Sequence, residues 1–453
     1  MSRDLILVGL LFMAIYFSIK RPYIGVAAWV WIALTAPAKW AFGFSNDFRL
    51  NLTIVVVAAL SYVFVQKNKH WRMNSLSFLV ILFWIWTLIS TATNQTSFSF
   101  YVWDYWNQFT KVLLLYIFVT LCITKRLHID TLIWAIVLSI SSYAAMEAVK
   151  FILSGGGHRI VGKAGIIQDR NDLAVAINMC IPMILYLISI TENFWLKRGL
   201  KILFLMNILA IIGTYSRGGF IGLCILFIAF WWTSKRKVLY AVLAAIVIPL
   251  FFAFAPGEWK ERQNTVSTAA AQDGSFIGRL WAWKISTLIA MDYPLTGGGF
   301  HAVKDGPLWR YYAPMTPNFG PIQTPQIPKE LKPKAAHNIY MQVLGDHGFG
   351  GLFIFLMILL GTIRLNLKNK RWGLENDQQW LVNLSRALNL SLVGYCITGG
   401  NVSLAYFDLF YTIVGVVCSI QIHIVTKKYK QKVKSPLADA QADARRQKEH
   451  SYG

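Results

Sequence analysis

The stretch AAHNIYMQVLGDHGFGG, residues 335–351, decides the predicted fold because it joins two chemically different parts of the chain. A proline-rich polar segment precedes it, and an apolar run continues from it to residue 363. We expect one unbroken helix that begins in water and enters a membrane. Unsatisfied backbone N–H groups at the start of that helix disfavour an imidazolium, so we expect His337 to be neutral and able to accept a proton.

The composition predicts an all-α polytopic membrane protein. Hydrophobic residues make up 56% of the 453 residues, and the mean hydropathy is +0.47. Apolar runs long enough to cross a hydrocarbon layer of about 30 Å recur along the chain, and the cost of bare backbone groups in lipid requires them to be helices. About 12–13 transmembrane helices are expected, the lower number if the first two short runs form a hairpin. The candidate spans are 4–19, 22–37, 50–66, 76–93, 107–123, 130–153, 172–191, 199–214, 218–232, 238–255, 338–363, 380–399 and 403–425.

The basic residues mark one side of the predicted bundle. Lys and Arg number 44 against 21 Asp and Glu, and connections rich in Lys and Arg alternate with connections that contain few. The positive-inside rule places the basic set in the cytoplasm, which makes this charge topological and gives no reason to expect a nucleic-acid partner. The basic connections are 20–21, 67–72, 125–126, 197–201, 235–237, 364–371 and the tail from 427.

Four regions follow from these patterns. We expect an N-terminal transmembrane bundle at 1–255, an outer loop or lid at 256–337, C-terminal transmembrane helices at 338–425 and a disordered basic cytoplasmic tail at 426–453. Residues 94–106 are rich in Phe, Tyr and Trp and are predicted to lie at the membrane interface.

The outer loop contains nine of the fourteen prolines but also has helical signals. Residues 257–272 have the composition of an amphipathic helix, and residues 276–291 repeat apolar residues at helical spacing, as a surface helix would. Gly297 to Gly299 predict a flexible turn. Residues 307–333 are expected to be irregular but stiff because prolines recur every few residues.

Basic residues occur in the outer connections and at the outer ends of the predicted transmembrane helices, without a matching run of carboxylates. A planar guanidinium can bind two phosphate oxygens at once, and several near one interface would suit a pyrophosphate attached to a lipid. These groups are Arg159, Arg170, Arg217, Arg262, Arg279 and His337, with Lys163 and His301 as further candidates.

Arg217 is the strongest candidate for a functional residue because it separates two apolar runs and is followed by Gly218-Gly219. A charge there is costly unless it faces a polar cavity or the headgroups, and the glycines favour close approach of a ligand or of backbone. Simpler roles stay open. Arg217 could extend to lipid phosphates, Arg279 could be a headgroup-facing charge on a surface helix, and His337 could bond to backbone at a helix cap.

Asp346 and His347 are predicted to have structural roles. At about 100° per residue, Asp346 lies on the opposite face of the helix from His337, so it is not placed to orient that imidazole. Helix packing or the wall of a polar cavity is expected for both residues.

No metal ion or cofactor is expected. The histidines of the outer side are widely separated, and its carboxylates form no spaced ligand motif. No phosphate-binding Gly-Lys-Ser/Thr loop occurs, and all five cysteines lie inside apolar runs. The energy for any reaction must therefore come from the substrate.

Several short motifs, in their order along the chain, resemble the O-antigen ligase superfamily. It includes O-antigen ligases, O-antigen polymerases and protein O-oligosaccharyltransferases of Gram-negative bacteria. The resemblance covers most of residues 1–425 and implies a glycosyltransferase C-like membrane fold, a large periplasmic loop containing surface helices, and inverting transfer without a metal. The motifs are Asp169 to Ala174, Ser216 to Gly219, Gly278 to Trp283, Pro294 to Phe300, Ala336 to Asn338 and Gly345 to Leu352.

The resemblance implies a monomeric ligase of the Gram-negative inner membrane. It would transfer O-antigen glycan from undecaprenyl pyrophosphate to lipid A-core on the periplasmic side, in lipopolysaccharide biosynthesis. Essential Arg and His residues of the superfamily map onto Arg217, Arg279 and His337, so the arginines would stabilise the leaving pyrophosphate and His337 would take the proton of the attacking hydroxyl. Weaker contributions to pyrophosphate binding are expected from Arg159, Lys163, Arg170 and His301.

Two alternatives stay open. A polymerase or a protein O-oligosaccharyltransferase would use the same donor, because the acceptor is contacted by outer loops that the motifs do not specify. A flippase or transporter of lipid-linked sugars belongs to another class and predicts polar residues along a path through the membrane. The charged groups of this chain concentrate at one mouth, which favours transfer chemistry.

Overall fold

The computed structural model describes residues 2–40, 43–66, 69, 72–163, 165–233, 237–238 and 274–426. The regular structure in these ranges is helical, and no β-strand occurs in them, so the predicted all-α class is confirmed. Three predictions lie outside the described residues. They are the helix at 257–272 with Arg262, the span at 238–255 beyond its first residue, and the tail after residue 426.

The helices of the described residues agree with most of the predicted spans to within a few residues. A π-helix, Ile420–Val425, continues the last of them. In chain order the α-helices are α1 (Ser2–Lys20), α2 (Pro22–Thr35), α3 (Leu50–Val65), α4 (Ser75–Ala92), α5 (Ser99–Cys122), α6 (Arg126–Leu153), α7 (Arg170–Ile190), α8 (Phe194–Gly213), α9 (Arg217–Thr233), α10 (Gly274–Asp292), α11 (Gly306–Tyr312), α12 (Ile339–Glu375), α13 (Gln379–Thr398) and α14 (Asp408–Ser419).

The lengths and surfaces of these helices are those of a polytopic membrane protein. Within the described residues, five segments are long and apolar enough to cross a membrane: α4, α6, α7, α12 and Asp408–Val425. Three shorter helices, α2, α3 and α9, are also apolar. Large apolar side chains point outward on the peripheral helices, as for Phe12 and Phe64, which are 68% and 80% exposed. Such a surface suits contact with lipid.

Helix α7 lies at the centre of the bundle, where α6, α8, α9 and α13 pack against it. Small residues allow α9 to approach closely. A Cβ on Gly219 would lie 2.5 Å from the Cβ of Ala174, and a Cβ on Gly222 would overlap the methyl group of Thr398. The first turns of α9 are therefore held against both α7 and α13.

The helix predicted to be unbroken is interrupted at Gly348, where φ is 66° and ψ is −171°. This region of backbone conformation is essentially restricted to glycine. Residues 339–347 therefore form a short first segment of α12, and a long second segment follows the break.

The turn from Gly297 to Gly299, predicted to be flexible, is anchored by backbone hydrogen bonds and explains the break. The N–H groups of Gly298 and Gly299 donate to the carbonyls of Gly345 and Asp346, at 3.0 and 2.9 Å. A Cβ on Gly297 would lie 2.5 Å from the backbone nitrogen of Gly348. The turn thus occupies the space opened by the break, with glycine required on both sides of the contact.

A cluster of polar and aromatic side chains packs around the same break. His347 Nδ1 is hydrogen-bonded to Ser90 Oγ at 2.8 Å, and the Tyr406 hydroxyl donates to Asp346 Oδ2 at 2.9 Å. The ring of Phe300 meets the imidazole of His347 edge-on, with centroids 4.6 Å apart. These contacts agree with the predicted structural roles of Asp346 and His347. We call Ser90, Phe300, Asp346, His347 and Tyr406 the break cluster.

The outer loop is partly helical in its described residues. Helix α10 includes the predicted surface helix at 276–291. The segment 307–333, predicted to be irregular, begins instead within α11 and continues through a 3-10 turn, Ala313–Met315. Asp305 caps α11 by accepting the N–H of Leu308, which explains why a helix forms in a proline-rich sequence.

Side chains of α10 fix the segment that leads to α12. The ammonium group of the buried Lys284 donates to the carbonyl of Thr316 at 2.6 Å. The indole N–H of Trp283 donates to the carbonyl of Ala336 at 2.6 Å. Because Ala336 precedes His337, this bond helps to determine where α12 begins.

Two span boundaries differ from the prediction at the outer side. Helix α5 begins at Ser99, so most of the predicted interfacial segment 94–106 is its first two turns. Helix α14 begins at Asp408, five residues after the predicted start of the last span. Residues 399–407 therefore form a connector between α13 and α14, which we call the 399–407 connector. Its Ala405 N–H donates to the side chain of Gln342 on α12 at 3.1 Å.

Candidate functional site

His337 lies immediately before α12 in a conformation that few residues adopt. Its φ is 44°, in the left-handed region, and its N–H donates to the Ser403 hydroxyl at 3.0 Å. The next residue, Asn338, caps α12 by accepting the N–H groups of Tyr340 and Met341 at 2.9 and 3.2 Å. Strained backbone of this kind persists where the surrounding structure enforces it, as it often does at functional sites.

Arg279 lies in the second turn of α10 and reaches the 399–407 connector. Its guanidinium Nη1 donates to the side-chain oxygen of Asn401. Arg279 is half-buried, and its charge acts on His337, so the two side chains are neighbours. Asn401 thus contacts one of the two arginines predicted from the sequence.

Arg217 is the first residue of α9 and adjoins the same asparagine through its own neighbour. A Cβ on Gly218 would overlap the amide nitrogen of Asn401, so this side chain lies directly against the backbone beside Arg217. The turn before Arg217 is tight, because Tyr215 has a φ of 53° and its hydroxyl donates to the carbonyl of Gly156 at 2.5 Å. The glycine after Arg217 therefore allows close approach of protein.

The three residues predicted to carry chemistry are gathered by one element that the sequence did not single out. Asn401 of the 399–407 connector contacts Arg279 and Gly218, and Ser403 of the same connector accepts the N–H of His337. We call Arg217, Arg279, His337 and Asn401 the mouth cluster.

Burial and nearby cations lower the pKa of His337. Burial is the largest cause and the charge of Arg279 is the second, while Lys304 and Lys334 act in the same direction and Asp169 acts against them. This direction agrees with the neutral imidazole predicted from the sequence, and it adds burial and nearby cations to the effect of the backbone at the helix start. Among the described residues, no group is hydrogen-bonded to the imidazole of His337.

Carboxylates at the start of α7 lie near these cations. Asp169 caps α7 by accepting the N–H groups of Asn171 and Asp172 at 2.6 and 2.8 Å, and it interacts electrostatically with His337. Lys304 interacts electrostatically with His337 and with Asp172. Nothing in the local sequence of Lys304 distinguishes it from a solvated lysine, so the sequence does not predict its place near the site.

The weaker candidates have other surroundings. Arg159 is exposed, and Arg170 is half-buried as the first residue of α7. The ammonium group of Lys163 lies 4.9 Å above the ring of Trp40 and makes a cation–π contact with it. Trp40 is not part of the mouth cluster.

His301 also has aromatic surroundings. Its ring stacks on Tyr105 with centroids 3.9 Å apart, and burial lowers its pKa to about 3. Burial thus favours the neutral imidazole, and the role of His301 in pyrophosphate binding stays a prediction. Its φ of 60° and its place after the Gly297–Gly299 turn relate it to the break cluster.

The described residues contain no group of three or more His, Cys, Asp or Glu side chains that could hold a metal ion. The positive charge of the mouth cluster is that of its two guanidinium groups, and the ammonium group of Lys304 acts on His337 beside them. Fixed cations of this kind can stabilise charge that develops on phosphate oxygens.

Comparison with protein families gives two matches, each to part of the chain. Residues 202–356 match the family described as O-antigen ligase. This match supports membership of the O-antigen ligase superfamily. The O-antigen ligase match includes Arg217, Arg279 and His337, but it ends before Asn401 and Ser403. Residues 2–192 match a family of unknown function, DUF5935. No curated protein matches the chain.

Superfamily membership indicates a glycosyltransferase of the ligase or polymerase type in a multi-pass membrane protein. The fold agrees with this class, since the described residues are helical and several of their helices can span a membrane. The domain match covers the outer loop and the first segment of α12, which are the elements that bring Arg279 and His337 together.

Proposed function

We propose that the protein is an O-antigen ligase that transfers a glycan from undecaprenyl pyrophosphate to lipid A-core. The observation that carries the proposal is the mouth cluster, in which Arg279, the backbone beside Arg217 and the backbone of His337 all contact the 399–407 connector. Two arginines and a neutral imidazole at one site are the groups that displacement of a lipid pyrophosphate requires.

The proposed reaction is a single displacement at the anomeric carbon. The acceptor hydroxyl forms a bond to that carbon while the bond from the carbon to the pyrophosphate oxygen breaks, which inverts the configuration. His337 accepts the hydroxyl proton, a role that typically contributes about 10²–10⁴-fold. Arg217 and Arg279 stabilise the negative charge that develops on the pyrophosphate, which remains attached to the lipid.

The electrostatics of the site support the assignment of His337 as the base. Burial and the charge of Arg279 favour its neutral form, which is the form that can take a proton. Its imidazole also has no hydrogen bond to another described residue. The ring is therefore available to a substrate hydroxyl.

The distribution of basic residues supports action on the periplasmic side of a Gram-negative inner membrane. Helices α7, α9 and α12 begin at the mouth cluster or beside it. The basic stretches Lys197 to Lys201 and Arg364 to Arg371 belong to the start of α8 and the far half of α12, at the opposite end. The positive-inside rule assigns that end to the cytoplasm. We extend the proposal to a glycosyltransferase C-like fold, a monomeric state, and a lid formed by residues 256–337.

The proposal is tested by transfer in a reconstituted system. Purified protein in lipid vesicles is incubated with undecaprenyl-pyrophosphate-linked glycan and lipid A-core, and glycosylated lipid A-core is quantified. Arg217→Ala is expected to lower kcat about 10²–10³-fold, because a fixed charge at the leaving group is lost. Arg371→Ala is the matched control, since Arg371 is exposed in the far half of α12 and pairs with Glu375 among the described residues.

Each alternative gives a different product in that system. Longer glycan chains made from donor alone indicate a polymerase, and glycan on an added pilin-like protein indicates a protein O-oligosaccharyltransferase. Movement of the donor across the bilayer without any glycosyl product indicates a flippase. Near-normal transfer by both Arg217→Ala and His337→Ala would show that the chemical assignment is wrong.

A further inference from the structure

We propose that Asn401 is a positioning residue that sets Arg279 against the start of α9, so that both arginines can bind one diphosphate. The inference rests on the proposed function and adds to it a residue outside the matched O-antigen ligase region. Asn401 would not touch the reacting atoms. It would act through Arg279, which it holds beside the start of α9.

The side chain of Asn401 has two separate contacts, one on each side. Its oxygen accepts a hydrogen bond from Nη1 of Arg279. Its amide nitrogen lies against the Cα of Gly218, so closely that a Cβ there would overlap it. One short side chain therefore joins α10 to the first turn of α9.

The need for such a residue follows from the length of arginine. A free arginine side chain has many rotamers, and ordering it costs up to about 2 kcal/mol. A hydrogen bond to one Nη1 proton restricts the plane of the guanidinium, and a guanidinium in a fixed plane can bind two phosphate oxygens at once. Preorganisation of this kind raises the rate because the charge is already in place when it is needed.

The contacts of Asn401 join two of the motifs found in the sequence. Ser216 to Gly219 and Gly278 to Trp283 lie about sixty residues apart, and the connector that joins them lies another hundred residues on. The glycine that follows Arg217 provides the surface on which Asn401 rests. A methyl group at that position would displace the amide that holds Arg279, without changing either arginine.

Three variants test the inference. Asn401→Leu keeps the size of the side chain and removes the acceptor, Gly218→Ala displaces Asn401, and Gly400→Ala is the matched control because a Cβ there meets nothing within 4 Å. Binding of decaprenyl diphosphate in vesicles and kcat for transfer are measured for each, together with thermal unfolding. We expect Asn401→Leu and Gly218→Ala to lower kcat about 10–100-fold and to weaken diphosphate binding, with Gly400→Ala unchanged.

Rescue separates positioning from a merely structural role. Asn401→Asp has the same size and retains an acceptor for Arg279, so its kcat is expected to lie within about fivefold of wild type. In an Arg279→Ala background, Asn401→Leu should cause no further loss, because the group it positions is gone.

The possible outcomes are distinct. If wild type binds decaprenyl diphosphate but transfers no glycan, the proposed function fails, and binding alone still tests Asn401. If Asn401→Leu keeps both binding and kcat within twofold of wild type, the inference is wrong. If Asn401→Leu does not fold, Gly218→Ala and Asn401→Asp decide, and equal activity of those two variants would overturn the inference.

Discussion

One histidine lies just before the first segment of α12 and another lies at the end of that segment, and their surroundings differ. His337, at the mouth cluster, is half-buried, has a left-handed backbone and lies among the charges of Arg279 and Asp169. His347, in the break cluster, is fully buried and hydrogen-bonded to Ser90, and it meets Phe300 edge-on. His347, ten residues after His337, is thus part of the packed interior around the break.

The hydrogen bonds of Ser90 determine which ring nitrogen of His347 carries a hydrogen. The Ser90 hydroxyl has one hydrogen, which it directs to the carbonyls of Thr296 and Asp346 at 2.6 and 2.9 Å. The bond between Ser90 and His347 must then be donated by the imidazole Nδ1–H. His347 therefore holds α4 against the break, whereas the imidazole of His337 has no such bond among the described residues.

The largest predicted effect comes from the same substitution at both positions. His337→Ala is expected to lower kcat for glycan transfer about 10²–10⁴-fold with only a small change in thermal unfolding, because a base is lost from a half-buried position. His347→Ala is expected to destabilise the fold by about 2–5 kcal/mol through an internal cavity, with kcat per folded molecule nearly unchanged. Transfer assays and thermal unfolding of both purified variants give the comparison.

The contrast between the two histidines fails if the results are exchanged or alike. A His347→Ala protein that is stable but inactive would move the chemistry to the break cluster. A His337→Ala protein that loses stability as much as activity would make His337 a capping residue, the simpler role considered from the sequence.

A smaller effect is expected from the break itself. Gly348→Ala places a side chain at φ 66° and ψ −171°, with its Cβ 2.5 Å from the carbonyl oxygen of Pro294. Such backbone strain costs of the order of 1–3 kcal/mol. Thermal unfolding in detergent should show this loss, while the pKa of His337 and the binding of a lipid diphosphate stay near wild type.

Gly199→Ala is the matched control for that experiment. Gly199 lies in α8, and a Cβ there meets nothing within 4 Å. The substitution should leave stability unchanged or raise it by up to about 1 kcal/mol, since alanine is the better helix former. Equal stability of the Gly348 and Gly199 variants would mean that the break imposes no constraint on the fold.

The helical class and most helix positions were predictable from sequence because apolar runs of sufficient length have one structural solution in lipid. The break in α12 was not. The sequence at Gly345 to Gly351 is apolar and glycine-containing, which is compatible with a continuous helix, and the interruption depends on a turn fifty residues earlier. Only tertiary contact makes the left-handed conformation of Gly348 necessary.

The candidate site was predicted in part for a similar reason. Arg217, Arg279 and His337 stand out because charge beside apolar runs is unusual and because their motifs resemble a known superfamily. Asn401 and Ser403 are common polar residues at the end of a span, and their role is visible only when α9, α10 and α12 converge on the connector. The sequence could not show that aromatic rings contact His301 and Lys163, and their roles in pyrophosphate binding stay predictions.

The smallest predicted effect concerns Lys304, which connects the two regions electrostatically by acting on both His337 and Asp346. Its positive charge helps to lower the pKa of His337, so Lys304→Gln should raise that pKa. The neutral imidazole is the active form, and activity is lost as pH falls through the pKa of the folded protein. The acid limb of the kcat/KM profile should therefore move to higher pH. This is measured as a ratio of activity at about pH 5.5 to activity at about pH 7.5 that is lower than in wild type.

Lys334→Gln should shift the limb in the same direction by less, because Lys334 is the weaker cause of the lowered pKa of His337. An acid limb that stays in place in Lys304→Gln would mean that Lys304 does not act on the titrating group, and that the chemical difference between the two histidines does not set the pH dependence of transfer.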